Sequence, residues 1–123
     1  MQVDIKTEQE VVVSGYPNEY AQVLLNIISN ATEACVERCV DNPQIEIRIT
    51  CENGRSVVYI RDNCGGIPNV LMPKIFDPYF TTREPDKGSG IGLYMSKVII
   101  EQNMGGHLTA CNVGGGAEFR IEV

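Results

Sequence analysis

The chain has no tryptophan and a single histidine, His107, and none of its cysteines stand in a C-x-x-C spacing. Zinc is therefore poorly supported, because neither a histidine cluster nor a thiolate pair at ligand spacing is present. The cysteines (Cys35, Cys39, Cys51, Cys64 and Cys111) are odd in number. The N-terminus lacks a signal-peptide pattern, so a disulfide framework is not expected. They read as small buried hydrophobes in a reducing compartment, with Cys35 and Cys39, one helical turn apart, a minor candidate for joint chelation or oxidation. No apolar run approaches the roughly 20 residues that span a bilayer. No basic cluster exists either: ten basic residues face sixteen acidic ones, for a net charge of −6. Nucleic acid and direct membrane contact are disfavoured, and the expected location is cytoplasmic, whether or not a longer protein carries a membrane anchor. Internal repeats and low-complexity tracts are absent.

What is present suits one globular domain with a real core: 123 residues, 43% of them hydrophobic. Residues 3–13 read as extended. Pro17 then opens a helix running to about Val40, with Leu24, Ile27, Ile28, Ala31 and Cys35 on one face. Ile45, Ile47, Ile49 and Cys51 alternate with polar residues, which predicts a strand. Asn53-Gly54 turns it into a second, antiparallel strand over residues 56–61. A further helix begins at the Gly88–Gly92 stretch and ends at Gly105-Gly106. Two closing strands follow around Gly114–Gly116, with Phe119, Ile121 and Val123 facing inward.

Four stretches do not fit a purely structural reading. Asn26, Asn30 and Glu33 make a polar stripe on the first helix. Asparagine is a mediocre helix former, and these two are flanked by Leu25, Ile27 and Ala31 rather than by charges. Carbonyl oxygens one turn apart suit a hard cation such as magnesium, although an ordinary solvated face is the bland alternative. Asp62-Asn63-Cys64-Gly65-Gly66-Ile67 ends a strand in a carboxylate and a glycine turn, equally a ligand-facing group or a plain turn. From Leu71 to Lys87 the chain is irregular, with Phe76, Tyr79 and Phe80 as aromatic anchors, as in a lid or binding loop. Lys87-Gly88-Ser89-Gly90-Ile91-Gly92-Leu93 places glycines at a helix N-terminus, where free N–H groups and the helix dipole attract phosphate. Taken alone it reads more readily as a flexible connection. It is neither a P-loop nor a dinucleotide turn.

In this order the four stretches resemble the N, G1, F and G2 boxes of sensor histidine kinases, over nearly the whole chain from about Tyr16 to Val123. The likeness is to the catalytic ATP-binding domain of that family, one of the Bergerat-fold (GHKL) ATPases alongside gyrase, MutL and the heat-shock chaperone ATPases. It implies a two-layer α/β sandwich, with a mixed, mainly antiparallel sheet and helices on one face. It implies ATP and Mg2+ as ligands, with Asn30 on the metal and Asn26 near the metal and phosphates. Asp62 would accept a hydrogen bond from the adenine amino group, and Gly66 and Ile67 would shape the adenine pocket. Thr81 and Thr82 would lie in the lid. Gly88, Ser89, Gly90, Ile91, Gly92 and Leu93 would hold the phosphates, and Lys87 or Arg83 would neutralise charge.

The resemblance also sets limits. Cys64 stands where the first G1 glycine is usual, and would be strained there if that position requires positive φ. The hydrolytic relatives carry a glutamate where this chain has Asn26, so ATP is expected to be held for transfer rather than hydrolysed quickly. The phosphoacceptor histidine of the family lies on a dimerisation helix that these residues do not include. His107 lacks the acidic neighbour of that motif and reads as structural or surface. Residues 1–123 are thus expected to be one catalytic ATP-binding module of a longer kinase. Its partners would be the phosphoacceptor and dimerisation domain and, downstream, a response regulator. A hydrolysing Bergerat ATPase and a nucleotide-loaded anti-sigma-type binding module are the alternatives.

Overall fold

The computed structural model describes residues 2–7, 17–78 and 92–123, the first of these stretches by its backbone. Five strands form one sheet, β1 (Gln2–Thr7), β2 (Gln44–Glu52), β3 (Arg55–Asp62), β4 (His107–Val113) and β5 (Gly116–Glu122), in the order β1-β2-β3-β5-β4. β1 runs parallel to β2, and every other pairing is antiparallel. The mixed, mainly antiparallel sheet is the one the sequence predicts. The β2–β3 turn falls at Asn53 and Gly54, both with positive φ (56° and 76°), the backbone of a primed two-residue hairpin.

Helix α1 (Pro17–Glu37) buries Val23, Ile27, Ala31 and Cys35, spaced four apart, so one stripe faces the sheet. Leu24 and Ile28 only flank that stripe. The helix ends three residues short of Val40, and the chain turns at Cys39 with φ 51°. α2 (Gly92–Val98) passes directly into a π-helical turn, Ile99–Asn103, closed by Met104 N–H donating to the Ile99 carbonyl at 3.1 Å. Ser96, Ile99 and Ile100 pack inward, and Met95 is exposed. Both helices cover one face. Val58 and Ile60 of β3, Phe119 and Ile121 of β5, Leu108 of β4 and Ile45 of β2 meet Val23, Ile27, Ala31, Ile99 and Ile100 there. Between β3 and α2 only a short 3-10 turn, Met72–Lys74, is regular among the described residues. Phe76 anchors this loop edge-on to Phe119, with centroids 6.3 Å apart. Tyr79 and Phe80 lie outside the described residues. No helix of the described residues is long and apolar enough to cross a membrane.

The opposite face carries a charged row. Arg48, Tyr59 and Arg120 are cross-strand neighbours on β2, β3 and β5. Both guanidinium groups lie over the Tyr59 ring, at 4.5 and 5.9 Å from its centroid. The Tyr59 hydroxyl donates to Glu52 Oε2 at 2.6 Å, and Arg120 Nη2 lies 3.3 Å from Oε1. The Tyr59 hydrogen bond, with help from Arg120 and Arg48 and against a smaller desolvation cost, holds the Glu52 carboxyl below its ordinary value. A depressed carboxylate stabilises the fold above its unfolded value, and that contribution is lost as pH falls through the folded value. Tyr59→Phe is therefore expected to raise the Glu52 midpoint, read by NMR titration of its carboxyl carbon, and to flatten the acid limb of stability. An unchanged midpoint would rule out the hydroxyl as the main cause.

Candidate functional site

The end of β3 delivers Asp62 to the helix-covered face, on the same parity as Val58 and Ile60, and it is 8% exposed. A buried carboxylate needs donors. Its Oδ1 takes two backbone N–H groups, from Cys64 at 2.9 Å and from Ala117 of β5 at 3.2 Å. The carboxylate is thus fixed from both its own loop and the neighbouring strand.

The glycine turn after it is pinned on three sides. Gly65 and Gly66 carry positive φ (97° and 73°), whereas Cys64 does not, so the cysteine at that place is unstrained. Arg38, just past the end of α1, donates through one nitrogen, Nη1, to the carbonyls of Cys64 and Gly66, each at 2.7 Å. Gly65 N–H donates to the Gly115 carbonyl at 2.8 Å, tying the turn to the β4–β5 hairpin. Asn112 of β4 acts as a one-residue strand: Ile67 N–H donates to its Oδ1 and its Nδ2 donates to the Ile67 carbonyl, both at 2.7 Å. The same Nδ2 lies 3.3 Å from Asn69 Oδ1. A Cβ at Gly66 would sit 2.7 Å from Asn112 Oδ1 and 3.2 Å from the Gly116 carbonyl oxygen, so glycine is required there for space as well as for φ.

The expectation that no disulfide forms is overturned. Cys35 of α1 and Cys64 are bonded, with Cα atoms 4.9 Å apart across a sequence separation of 29. Spacing along the chain hides this pair, because the fold carries the loop after β3 back to the last turns of α1. Cys39, the other half of the pair that spacing allows, is a free, exposed thiol.

Asn26 is committed to α2. Its Nδ2 donates to Ser96 Oγ at 3.2 Å and to the Gly92 carbonyl at 3.3 Å, and its Oδ1 accepts from Gln22 at 2.9 Å. The buried Ser96 hydroxyl in turn donates to the Gly92 carbonyl at 2.8 Å. The structure therefore brings Asn26 to Gly92 and Ser96, and Asp62 to Cys64 and Ala117, while Gly66 and Ile67 meet Arg38 and Asn112. Asn30 lies between these clusters along α1. Thr81, Thr82, Arg83, Lys87, Gly88, Ser89, Gly90 and Ile91 lie outside the described residues. His107 is exposed on β4. Asn112 and Arg38 carry no sequence signal: each reads as an ordinary polar residue, on a strand and just past a helix. Asn112→Ala is expected to speed amide exchange at Ile67 at least tenfold, since it removes a two-ended clamp on that backbone. Unchanged exchange would show that Asn112 does not hold the turn.

Among the described residues no three His, Cys, Asp or Glu side chains gather as a metal group. Arg38, Asn112 and the Gly115 carbonyl hold the turn beside Asp62 in place.

The family model for histidine kinase-, DNA gyrase B- and HSP90-like ATPases matches residues 15–123. The two-component sensor PprA of Pseudomonas aeruginosa is 38% identical over 122 residues, 94% of this chain and 13% of that protein. The signal transduction histidine-protein kinase AtoS of Escherichia coli is 39% identical over 103 residues, 81% of this chain and 16% of that protein. The chain thus spans less than a fifth of these curated relatives. A nucleotide-free structure of the catalytic domain of histidine kinase ThkA superposes with a TM-score of 0.84 at 30% identity, over 99% of this chain and 77% of that one. With its boxes in order and its fold matched, this chain belongs to the histidine kinase-, DNA gyrase B- and HSP90-like ATPase family, as a catalytic domain of the histidine-kinase kind.

Proposed function

We propose that residues 1–123 form one catalytic domain that binds Mg-ATP and presents the γ-phosphate to a histidine on the dimerisation domain of the same kinase, in two-component signalling. The observation that carries this reading is Asp62, a buried carboxylate fixed by two backbone donors beside a pinned glycine turn. A carboxylate accepting a hydrogen bond from an amino group at such a place is shielded from water and discriminates adenine from bases lacking that donor. Ile67 and Gly66 border it. From Asn26 to Cys35 α1 runs about 14 Å. One helix could thus serve both a base held at its far end and phosphates held at the start of α2.

Asn30 is the residue that would hold magnesium, which when bound neutralises phosphate charge. Asn26 orients the first turn of α2 through Gly92 and Ser96. Backbone N–H groups over residues 88–93 take the phosphates in this proposal, Lys87 or Arg83 neutralises their charge, and Thr81 and Thr82 belong to the lid. Transfer then rests on positioning and charge neutralisation. Asn26 offers no carboxylate to activate water, so the domain holds ATP rather than consuming it. The phosphoacceptor domain and a response regulator are its partners in this scheme. ThkA has been crystallised with its response regulator TrrA, and this chain superposes on that kinase with a TM-score of 0.78 at 30% identity, covering 34% of it.

Calorimetric titration with a non-hydrolysable ATP analogue, with and without magnesium, tests the reading. Magnesium-dependent binding without steady phosphate release from ATP is expected. A folded domain that binds no analogue would overturn the proposal, and steady phosphate release would favour a hydrolytic ATPase instead.

A further inference from the structure

We infer that Cys35 and Cys64 form a redox site whose disulfide state sets how firmly the base-binding loop holds nucleotide, the oxidised form binding more tightly. The inference rests on the nucleotide reading above for its ligand, and on the loop geometry for its mechanism.

Both sulfurs belong to buried residues, Cys35 at 3% exposure and Cys64 at 0%. Their bond joins α1 to the residue two places after Asp62. Cys64 is also where the loop's hydrogen bonds converge: its N–H donates to Asp62 Oδ1, and its carbonyl accepts from Arg38. The disulfide and the Arg38 clamp are thus two tethers from the end of α1 to one short loop, one covalent and one polar.

Reduction changes the space the pair needs. Bonded sulfurs sit about 2 Å apart, whereas unbonded heavy atoms settle at roughly 3.5–4.0 Å. A close-packed interior has no void to take up that difference, so something must move. α1 is fixed along its length by Val23, Ile27 and Ala31 in the core. The loop, held by hydrogen bonds and ending in exposed residues, yields first. Its displacement carries Cys64 N–H away from Asp62 Oδ1 and loosens the carboxylate. The oxidised form holds that loop in place before ligand arrives, and such pre-organisation favours binding.

The chemistry is thiol–disulfide exchange, with a low-molecular-weight disulfide as oxidant. Local opening of the loop admits the small disulfide, whereupon one protein thiolate attacks a sulfur of it and expels one small thiol, leaving a mixed disulfide. The second protein thiolate then attacks the protein sulfur of that mixed disulfide and expels the other small thiol. Two protein thiols are oxidised, one small disulfide is reduced, and two protons leave with the two small thiols. A dithiol reverses the sequence.

Because coupling is reciprocal, nucleotide must stabilise the disulfide by the factor by which the disulfide tightens nucleotide binding. A coupling of about tenfold corresponds to about 30 mV in the potential of the pair.

The test uses a Cys39→Ser, Cys51→Ser, Cys111→Ser variant, which retains only this pair. It is equilibrated in oxidised and reduced glutathione buffers, and bond formation is read by alkylation and peptide mass. Amide exchange over residues 62–67 and ATP-analogue affinity are then measured in both forms. The expected result is a Cys35–Cys64 bond, faster exchange over 62–67 on reduction, analogue affinity about tenfold weaker when reduced, and a potential lower by about 30 mV with analogue bound. Free thiols in fully oxidising buffer, identical exchange in the two forms, or tighter binding by the reduced form would each overturn the inference. If exchange differs but neither form binds analogue, the redox control of the loop stands and the nucleotide reading is the part that fails. A Cys64→Ser variant that matches the reduced form in exchange, with its melting transition intact, would separate loss of the bond from loss of the fold.

Discussion

Asp62→Asn is expected to bind the ATP analogue roughly ten- to hundredfold more weakly than the wild-type domain while melting close to it. A hydrogen bond to a charged acceptor contributes about 1.5–3 kcal/mol, and each 1.4 kcal/mol is about tenfold in affinity. The asparagine keeps an oxygen for Cys64 N–H and Ala117 N–H, so the internal bonds of the site survive. What it loses is the carboxylate oxygen offered to the adenine amino group. Asp62→Ala goes further and is expected to abolish measurable binding. It also strands two buried N–H groups, at about 1–3 kcal/mol for each left unsatisfied, so its melting temperature should fall as well. Comparison of the two variants separates recognition from scaffolding. Calorimetry showing wild-type affinity for Asp62→Asn would remove adenine recognition from this residue.

Gly116→Ala is expected to have the largest effect on stability of any single methyl added near the site. Gly116 opens β5 and packs against the end of β3. A Cβ there would collide with the Asp62 carbonyl oxygen and lie 2.6 Å from its carbonyl carbon and 3.0 Å from Asn63 Cα. These are backbone atoms and cannot rotate away. The strands must separate at the point where Ala117 N–H reaches the Asp62 carboxylate, so stability and binding should fall together. Overpacking costs about 1–3 kcal/mol or more, a drop of roughly 5–15 °C in melting temperature for a domain of this size. Gly115→Ala is the control: a Cβ there meets nothing within 4 Å, and its cost is the positive φ of 86° alone, about 1–2 kcal/mol. A Gly116→Ala variant that melts no lower than the Gly115→Ala variant would show that the strand ends separate freely.

Much of this was legible from local pattern. The alternation over Gln44–Glu52 and the Asn53-Gly54 turn each report on near neighbours and stand where their pattern puts them, whereas α1 ends at Glu37 rather than near Val40 and buries Val23 in place of Leu24 and Ile28. The buried side of α2 was less legible. Ser96, Ile99 and Ile100 face inward at ordinary helical spacing while Met95 faces out, and the π-helical turn follows at Ile99–Asn103. Least legible were the ties around Asp62. Cys35, Arg38, Asn112 and Gly115 all reach one short loop from distant parts of the chain, and no periodicity encodes a contact of that kind. Asn26 shows the same limit: its spacing marks it as unusual, while its partners on α2 are known only from the fold.

The strand order also has a kinetic side. β2 with β3 and β4 with β5 are local hairpins that can form early, each closed by a two-residue turn. β3 joins β5 only through pairs such as Val57 with Glu122 and Arg61 with Glu118, which lie far apart in the chain. Loop-closure entropy delays such pairings, so docking of the two hairpins is the natural barrier-crossing event. The Ala117 N–H bond to Asp62 lies at that seam, and before docking the carboxylate lacks one of its two anchors. Nucleotide should accordingly recognise the chain only after the barrier: in a denaturant chevron it should lower the unfolding arm and leave the refolding arm where it was.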